Sequence, residues 1–359
     1  MSWRTDSGDA MRHARERADE VVRRRFGGLQ SSHPFLVYLH RRAAEDLAMR
    51  IVQGEEDLTF EPSPLPEVQD ATAATERPFM DADRLADTIR LPALPKVFLE
   101  LRKLLERPQV SYAEVAELIM RDPRLTASLL KLVNSPLFGF TRTIDTVSRA
   151  VAVAGMRSIS SLAIGTFVLG LFRERPPAVI NMQGFWLHSV AVALVTRSLA
   201  ERLGRDEPER YFVAGLLHDF GWLAMAAAVP AQAREVVRRV REEGHEQVQV
   251  EAELVGCDHA QLGAALLARW NLPPSLLTAL EYHHMPSDFG AGDEARIIHV
   301  ADLIVKAFGI GASGDARLMR MDEAAVDMLG VSAHDIDVCS ETLIERSRDF
   351  YAVLLGGVG

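Results

Sequence analysis

One periodicity runs through this sequence. Apolar residues recur at i, i+3 and i+4, as in KVFLELRKLLE and RLTASLLKLV, while the apolar–polar alternation of strands does not recur. Aromatic residues are sparse at 7%, and Leu, Ala, Arg, Glu and Val dominate. A chain patterned this way hides its apolar surface by packing helix on helix, so the expected fold class is all-α. With 359 residues there is material for one large domain or two smaller ones, and 48% hydrophobic with 25% charged residues is ordinary for a globular chain.

Punctuation divides the chain. Residues 1–53 read as a helical N-terminal extension, interrupted at Gly27-Gly28 and between Ser31 and Pro34. Residues 54–79 read as a linker, because Pro62, Pro64, Pro66 and Pro78 block helix there and an acidic cluster spans Glu55 to Asp57. Over 80–175 the helices are short. Ser111 and Glu114 form a capping box, Asp122-Pro123 starts the next helix, Asn134-Ser135-Pro136 ends it, and a break falls near Gly155. Over 176–312 the helices lengthen. FWLHSVAVALVTRSLAERLG closes at Gly204, and PERYFVAGLLHDFGWLAM is apolar enough to be buried as one helix. Residues 313–359 read as a helical tail.

Charge and cysteine usage remove several classes. A net charge of -10 and a pI near 5.6 disfavour a phosphate backbone, and the arginines from Arg12 to Arg25 are interleaved with acids as on a solvated helix face. No nucleic-acid role is expected. Cys257 and Cys339 do not form a disulfide framework. The first twenty residues lack the apolar core of a signal peptide, and the apolar run near Leu162 to Phe172 is too short to span a bilayer. The expectation is a cytoplasmic protein with no membrane segment.

The chemistry-bearing residues lie in the second half. His218 and Asp219 fall in an apolar stretch, where adjacent imidazole and carboxylate groups are costly unless paired or bound to metal. Side chains about 100° apart on one helix would flank one ion or bridge two. His188 lies one helix upstream, His259 opens a later helix with Gly263 one turn on, His283 and His284 end another, and Asp302 sits mid-helix one turn after His299. Any one of His188, His259 or His299, taken singly, reads as a hydrogen-bonded core histidine. As a set, ligands on separate helices are how bundles build metal sites, and imidazole with carboxylate suits Fe, Mn or Zn. His13, His33, His40, His245 and His334 read as surface or structural.

Two blocks carry a resemblance. LPALPKVF…RDPRLTASLLKLVNSPLFG, residues 91–139, and AGLLHDFGWL…DHAQLGAALLARWNLPPSLLTALEYHHMP…IIHVADLI, residues 214–304, resemble the HDOD (HD-related output) domain. The resemblance implies an all-α HDOD domain over 80–312, made of two fused helical lobes, 80–175 and an HD-like 176–312. It implies a bacterial signal-transduction module without demonstrated catalysis, acting beside signalling proteins such as two-component receivers or cyclic-di-GMP proteins. The HD-like half is also similar to HD-GYP phosphodiesterases. That similarity implies His188, His218, Asp219, His259, His283, His284 and Asp302 as ligands of a divalent metal.

This sequence departs from the HD-GYP pattern at three points. Trp222 stands where HDxGK carries lysine, Met285-Pro286 follows the histidine pair without a glycine-tyrosine-proline motif, and Gly184 stands where some relatives place a carboxylate ligand. The expectation is therefore a regulatory or interaction module that holds metal. Its indole at Trp222 would stack on a ligand base or on a neighbouring helix, and its N-terminal extension would pack on the core or on a second copy in a homo-oligomer. The alternative is a metal-dependent phosphodiesterase or phosphohydrolase acting on a nucleotide second messenger such as cyclic-di-GMP.

Overall fold

A computed structural model describes residues 3–27, 29, 32–55, 79–90, 95–105, 107–135, 142–170, 177–312 and 317–355. There is no strand among them, in accord with the all-α expectation. The N-terminal extension is two antiparallel helices, α1 (Trp3–Arg25) and α2 (Pro34–Gln53), packed on each other. Pro34 opens α2 behind His33, whose ring accepts the Phe35 N–H, and Gly54 closes it in the left-handed conformation. Residues 56–78, the bulk of the proline-rich linker, lie outside the described residues, as do 91–94 and 136–139 of the Leu-Pro and Asn-Ser-Pro motifs.

The first lobe holds α3 (Ala82–Thr88), α4 (Lys96–Leu105), α5 (Tyr112–Met120), α6 (Pro123–Val133), α7 (Val147–Ala154) and α8 (Met156–Gly170). Local chemistry sets their ends. Ser111 and Glu114 complete the expected capping box on α5, and Gly155, at φ +86°, separates α7 from α8. Asn134 staples the loop after α6. Its amide donates to Ile144 O at 2.7 Å, and its Oδ1 accepts the Ile144 N–H at 2.7 Å. Asp122 caps α6 by accepting from two backbone N–H groups, those of Arg124 at 2.9 Å and Leu125 at 3.0 Å. Asp122→Ala should therefore cost about 0.5–2 kcal/mol in a denaturant melt. An unchanged midpoint would show that Pro123 at the first helical position suffices.

The second lobe holds α9 (Met182–Arg202), α10 (Pro208–Leu217), α11 (Phe220–Ala228), α12 (Pro230–Arg238), a single π turn (Arg239–Glu243), α13 (Gln247–Leu254), α14 (His259–Arg269), α15 (Pro274–Glu281) and α16 (Asp293–Phe308). The long, buried α9 packs on α10 and α16, α11 lies on α14, and α15 bridges α14 to α16. Gly221 on α11 makes the α11–α14 contact possible, since a Cβ there would lie 1.9 Å from His259 O. α10 also packs on α8 and so joins the lobes. The segment 79–90, which opens the first lobe in chain order, packs against the second. α3 packs on α14, Met80 N–H donates to Val255 O at 2.9 Å, and Arg269 donates to Asp83 O at 2.9 Å.

The tail adds α17 (Glu323–Leu329), α18 (Ala333–Ser340) and α19 (Leu343–Leu355). α18 and α19 lie along α9, α19 reaches α6, and α17 packs on α16. The extension meets the same region, with α2 packed on α16 and α18. Two buried arginines fix that contact: Arg25 donates to Ala307 O at 3.2 Å and Arg50 to Phe308 O at 3.4 Å, serving the last carbonyls of α16. The extension thus packs on its own chain's core.

One stretch, Pro208–Ala228, is apolar and long enough to cross a membrane by composition, with a mean hydropathy of 1.2. It is a longer apolar stretch than the run near Leu162 that the sequence reading singled out. It forms α10 and α11, and 89% of its window is buried inside the fold.

Candidate metal centre

His218 and Asp219 occupy a break, not the interior of one helix. α10 ends at Leu217 and α11 starts at Phe220, so the expected continuous helix is corrected here. Apolar residues on both sides masked the break. Its effect is to send the two side chains to different neighbours. His218 faces the rings and carboxylate of α9 and α16, while Asp219 also reaches α14 and the turn after α15.

Ligand atoms of Asp219, His259, His283 and His284 lie within 4.8 Å of one another, and so do those of His188, His218 and Asp302. Asp219 connects the two groups. Its Oδ1 is 3.2 Å from His259 Nε2 and 3.8 Å from His283 Nε2; its Oδ2 is 3.0 Å from His218 Nε2 and 3.8 Å from His188 Nε2. All seven residues singled out from the sequence therefore converge, six of them buried and His284 half-buried. His283 and His284 lie just past a helix end, because α15 stops at Glu281 and a turn presents both rings inward. His259 is held at the first position of α14 by a capping box of Asp258 and Gln261.

The rings are oriented by their outer nitrogens. His218 Nδ1 donates to Gly215 O at 2.8 Å and His283 Nδ1 to Leu280 O at 2.6 Å, while His259 Nδ1 meets the Glu251 carboxylate at 2.7 Å. In each case Nε2 is left to face the centre. His283 Nε2 and His188 Nδ1 make no hydrogen bond among the described residues although both are buried, while His218 Nε2 and His188 Nε2 face carboxylate oxygens, at 3.0 Å from Asp219 Oδ2 and 3.1 Å from Asp302 Oδ1. Burying so many ring nitrogens is costly unless something satisfies them, and these converge on carboxylate oxygens. Lone pairs of three or four imidazoles aimed at one carboxylate are the donor set of a divalent transition metal, so the residues fit such an ion.

Electrostatics agree with the geometry. Burial works against ionisation of Asp219, yet His218 and His259 hold its carboxyl well below the usual range. Burial likewise works against charge on His259, yet Glu251 and Asp219 raise it well above an ordinary imidazole. Burial and the neighbouring His218 and His259 push His283 down to about 3, keeping it neutral and ligand-competent. Protons and a cation compete for His259, so uptake should strengthen as pH rises and release protons.

Sequence reasoning missed two contributors. Glu251 belongs to a short helix without any motif, and only the contact with His259 reveals it. Lys306 lies one turn beyond Asp302 on α16, and only its contact with the Asp302 carboxylate reveals its role. His299 is a core histidine: its Nε2 accepts the Asp322 N–H at 3.0 Å and its Nδ1 donates to His283 O at 3.0 Å. Gly184 contributes a carbonyl to Ala312 N at 3.1 Å and no ligand. Trp222 requires a correction. It has 0% exposure and so presents no face for a ligand to stack on; its size and apolarity place it in the core, with Nε1 making no hydrogen bond among the described residues.

A cavity of about 160 Å³ opens onto Asp219, His259, His284 and Lys306, and its outer wall includes Gly27 of the extension and Arg317 and Arg320 of the tail. Both flanking segments thus help to enclose the centre.

Two fused helical lobes with a buried histidine–aspartate centre in the second define the class of protein. Residues 91–286 match the HDOD domain, and the chain belongs to that family. A protein of Treponema pallidum (strain Nichols), itself uncharacterized, is 28% identical over 251 residues, 69% of this chain and 48% of that protein. The chain therefore spans about half the length of this relative. A solved structure from Shewanella amazonensis SB2B, described as a phosphohydrolase, is 25% identical with a TM-score of 0.61, covering 75% of this chain and 97% of the other. An HDOD domain protein of unknown function from Geobacter sulfurreducens is 25% identical with a TM-score of 0.59, covering 76% and 97%.

Proposed function

We propose that this chain is a regulatory and interaction module of bacterial signal transduction, acting in the cytoplasm, whose centre holds a divalent ion without supporting turnover. The observation that carries this reading is Trp222. At the position where the resemblance to HD-GYP enzymes calls for a lysine near the scissile phosphate, the side chain is an indole with no exposed surface. Phosphoryl chemistry depends on positive charge placed at the phosphate, and removing one such group typically costs about 10² to 10³ in rate. The bound metal would supply Lewis acidity. The histidines and Asp219 would hold it, and the flanking segments restrict access to it. Partners in this reading are signalling proteins of two-component or cyclic-di-GMP pathways, or a second copy of the chain.

The second reading, a metal-dependent phosphodiesterase or phosphohydrolase acting on a nucleotide, is favoured by the cavity that reaches Asp219 and by the description of the Shewanella neighbour. One experiment separates the two. Protein purified without chelator is expected to carry Fe, Mn or Zn by elemental analysis, and to form no product above background from cyclic-di-GMP or linear dinucleotides. The assay should supply Mn, Fe(II) and Zn under anaerobic conditions. Metal-dependent product that disappears in Asp219→Asn would place the protein among the enzymes.

A further inference from the structure

The two ligand groups sit in different electrostatic surroundings. Behind the first stands Glu251, fully buried, whose Oε2 accepts from His259 N at 2.8 Å and faces His259 Nδ1 at 2.7 Å, while its Oε1 accepts from Gln247 Nε2 at 2.7 Å. A carboxylate behind a ligating imidazole fixes the ring and raises its basicity. Beside the second group stands Lys306. Its Nζ is 2.9 Å from Asp302 Oδ2, its side chain is 10% exposed, and the other oxygen of Asp302 lies 3.1 Å from His188 Nε2. One group is backed by an anion, and the other already contains a cation.

We infer that the centre takes one divalent ion, at Asp219, His259, His283 and His284, and that the Lys306 ammonium stands beside Asp302 in place of a second. This rests on the metal-holding reading above. Charge balance supports it. The buried acids in contact with the cluster are Asp219, Glu251 and Asp302, three negative charges. One dication and one ammonium balance them. A second dication would leave two uncompensated positive charges in a site shielded from water, which burial penalises heavily. A second ion among His188, His218 and Asp302 would also have to displace an ammonium from its carboxylate. Lys306 has somewhere to go, since it lines the 160 Å³ cavity. Removing its charge should therefore open the second position.

The test uses the full chain, stripped of metal and titrated with Mn²⁺ or Zn²⁺. Bound ion is counted by elemental analysis and calorimetry, and Mn²⁺ pairs are detected by electron paramagnetic resonance. The wild type is expected to saturate at one ion per chain with the spectrum of isolated Mn²⁺. Lys306→Met and Lys306→Gln, each checked for helical fold by circular dichroism, are expected to saturate at two and to show coupled Mn²⁺ pairs. Lys306→Arg should stay at one. Glu251→Gln should keep the stoichiometry while weakening the single site by about 10- to 100-fold. Two ions in the wild type with affinities within about tenfold of each other would overturn the inference, as would folded Lys306→Met and Lys306→Gln that both stay at one. A wild type that binds no ion would refute the metal-holding reading itself.

Discussion

A chain beginning at Met80 is expected to lose its cooperative thermal transition. The extension carries Phe35, Leu36, Leu39 and Leu47, all buried, and α2 packs on α16 and α18. Burial of each such side chain is worth about 1.5–3 kcal/mol, set against a whole-domain stability of about 5–15 kcal/mol. Removing α1 and α2 also strips Arg25 and Arg50 from the carbonyls of Ala307 and Phe308, at the end of the helix that carries Asp302. Calorimetry of the full and shortened chains reads the effect. A shortened chain melting within about 2 °C of the full one would show that the extension contributes little, since about 1 kcal/mol moves a domain of this size by roughly that much.

Gly221→Ala is expected to be the most damaging single substitution near the centre. A Cβ at this position would lie 1.9 Å from His259 O and 2.6 Å from Gly263 N. Both are backbone atoms, which cannot swing aside as a side chain does, so α11 and α14 must part. These elements deliver Asp219 and His259, and separating them spreads the ligands. Overpacking of this kind costs about 3 kcal/mol or more, and the ion should be lost with it. Gly263→Ala gives the internal comparison. Its Cβ would lie 3.2 Å from Gly221 N and 3.4 Å from Gly221 Cα, so its cost should fall near 1 kcal/mol, the lower end of the range. Equal melting temperatures and equal ion retention for wild type and Gly221→Ala would refute the close-packing argument.

The contrast between these two glycines shows what was legible beforehand. Gly263, one turn after His259, is a small residue beside a candidate ligand, and the helices do approach closely there. The tighter constraint belongs to Gly221, which in sequence is one more glycine in an apolar run. Helix starts such as Ser111 and Asp122 could be read because caps are local chemistry. The break at His218-Asp219 could not, because nothing in the flanking apolar residues marks it. The seven converging residues were nameable through family resemblance. Glu251 and Lys306 were not, because their roles depend on which helix faces which, and spacing along a chain does not encode that.

The placement of Asp219 between α10 and α11 also bears on the nascent chain. Pro208–Ala228 meets the length and apolarity of a spanning segment, and such segments are read by the insertion machinery before any tertiary contact exists. Asp219 lies near the middle of that stretch, where an aspartate adds about 2.5–3.5 kcal/mol to the cost of entering lipid. The carboxylate that joins the two ligand groups in the folded protein thus also weighs against partition of the nascent segment into a bilayer.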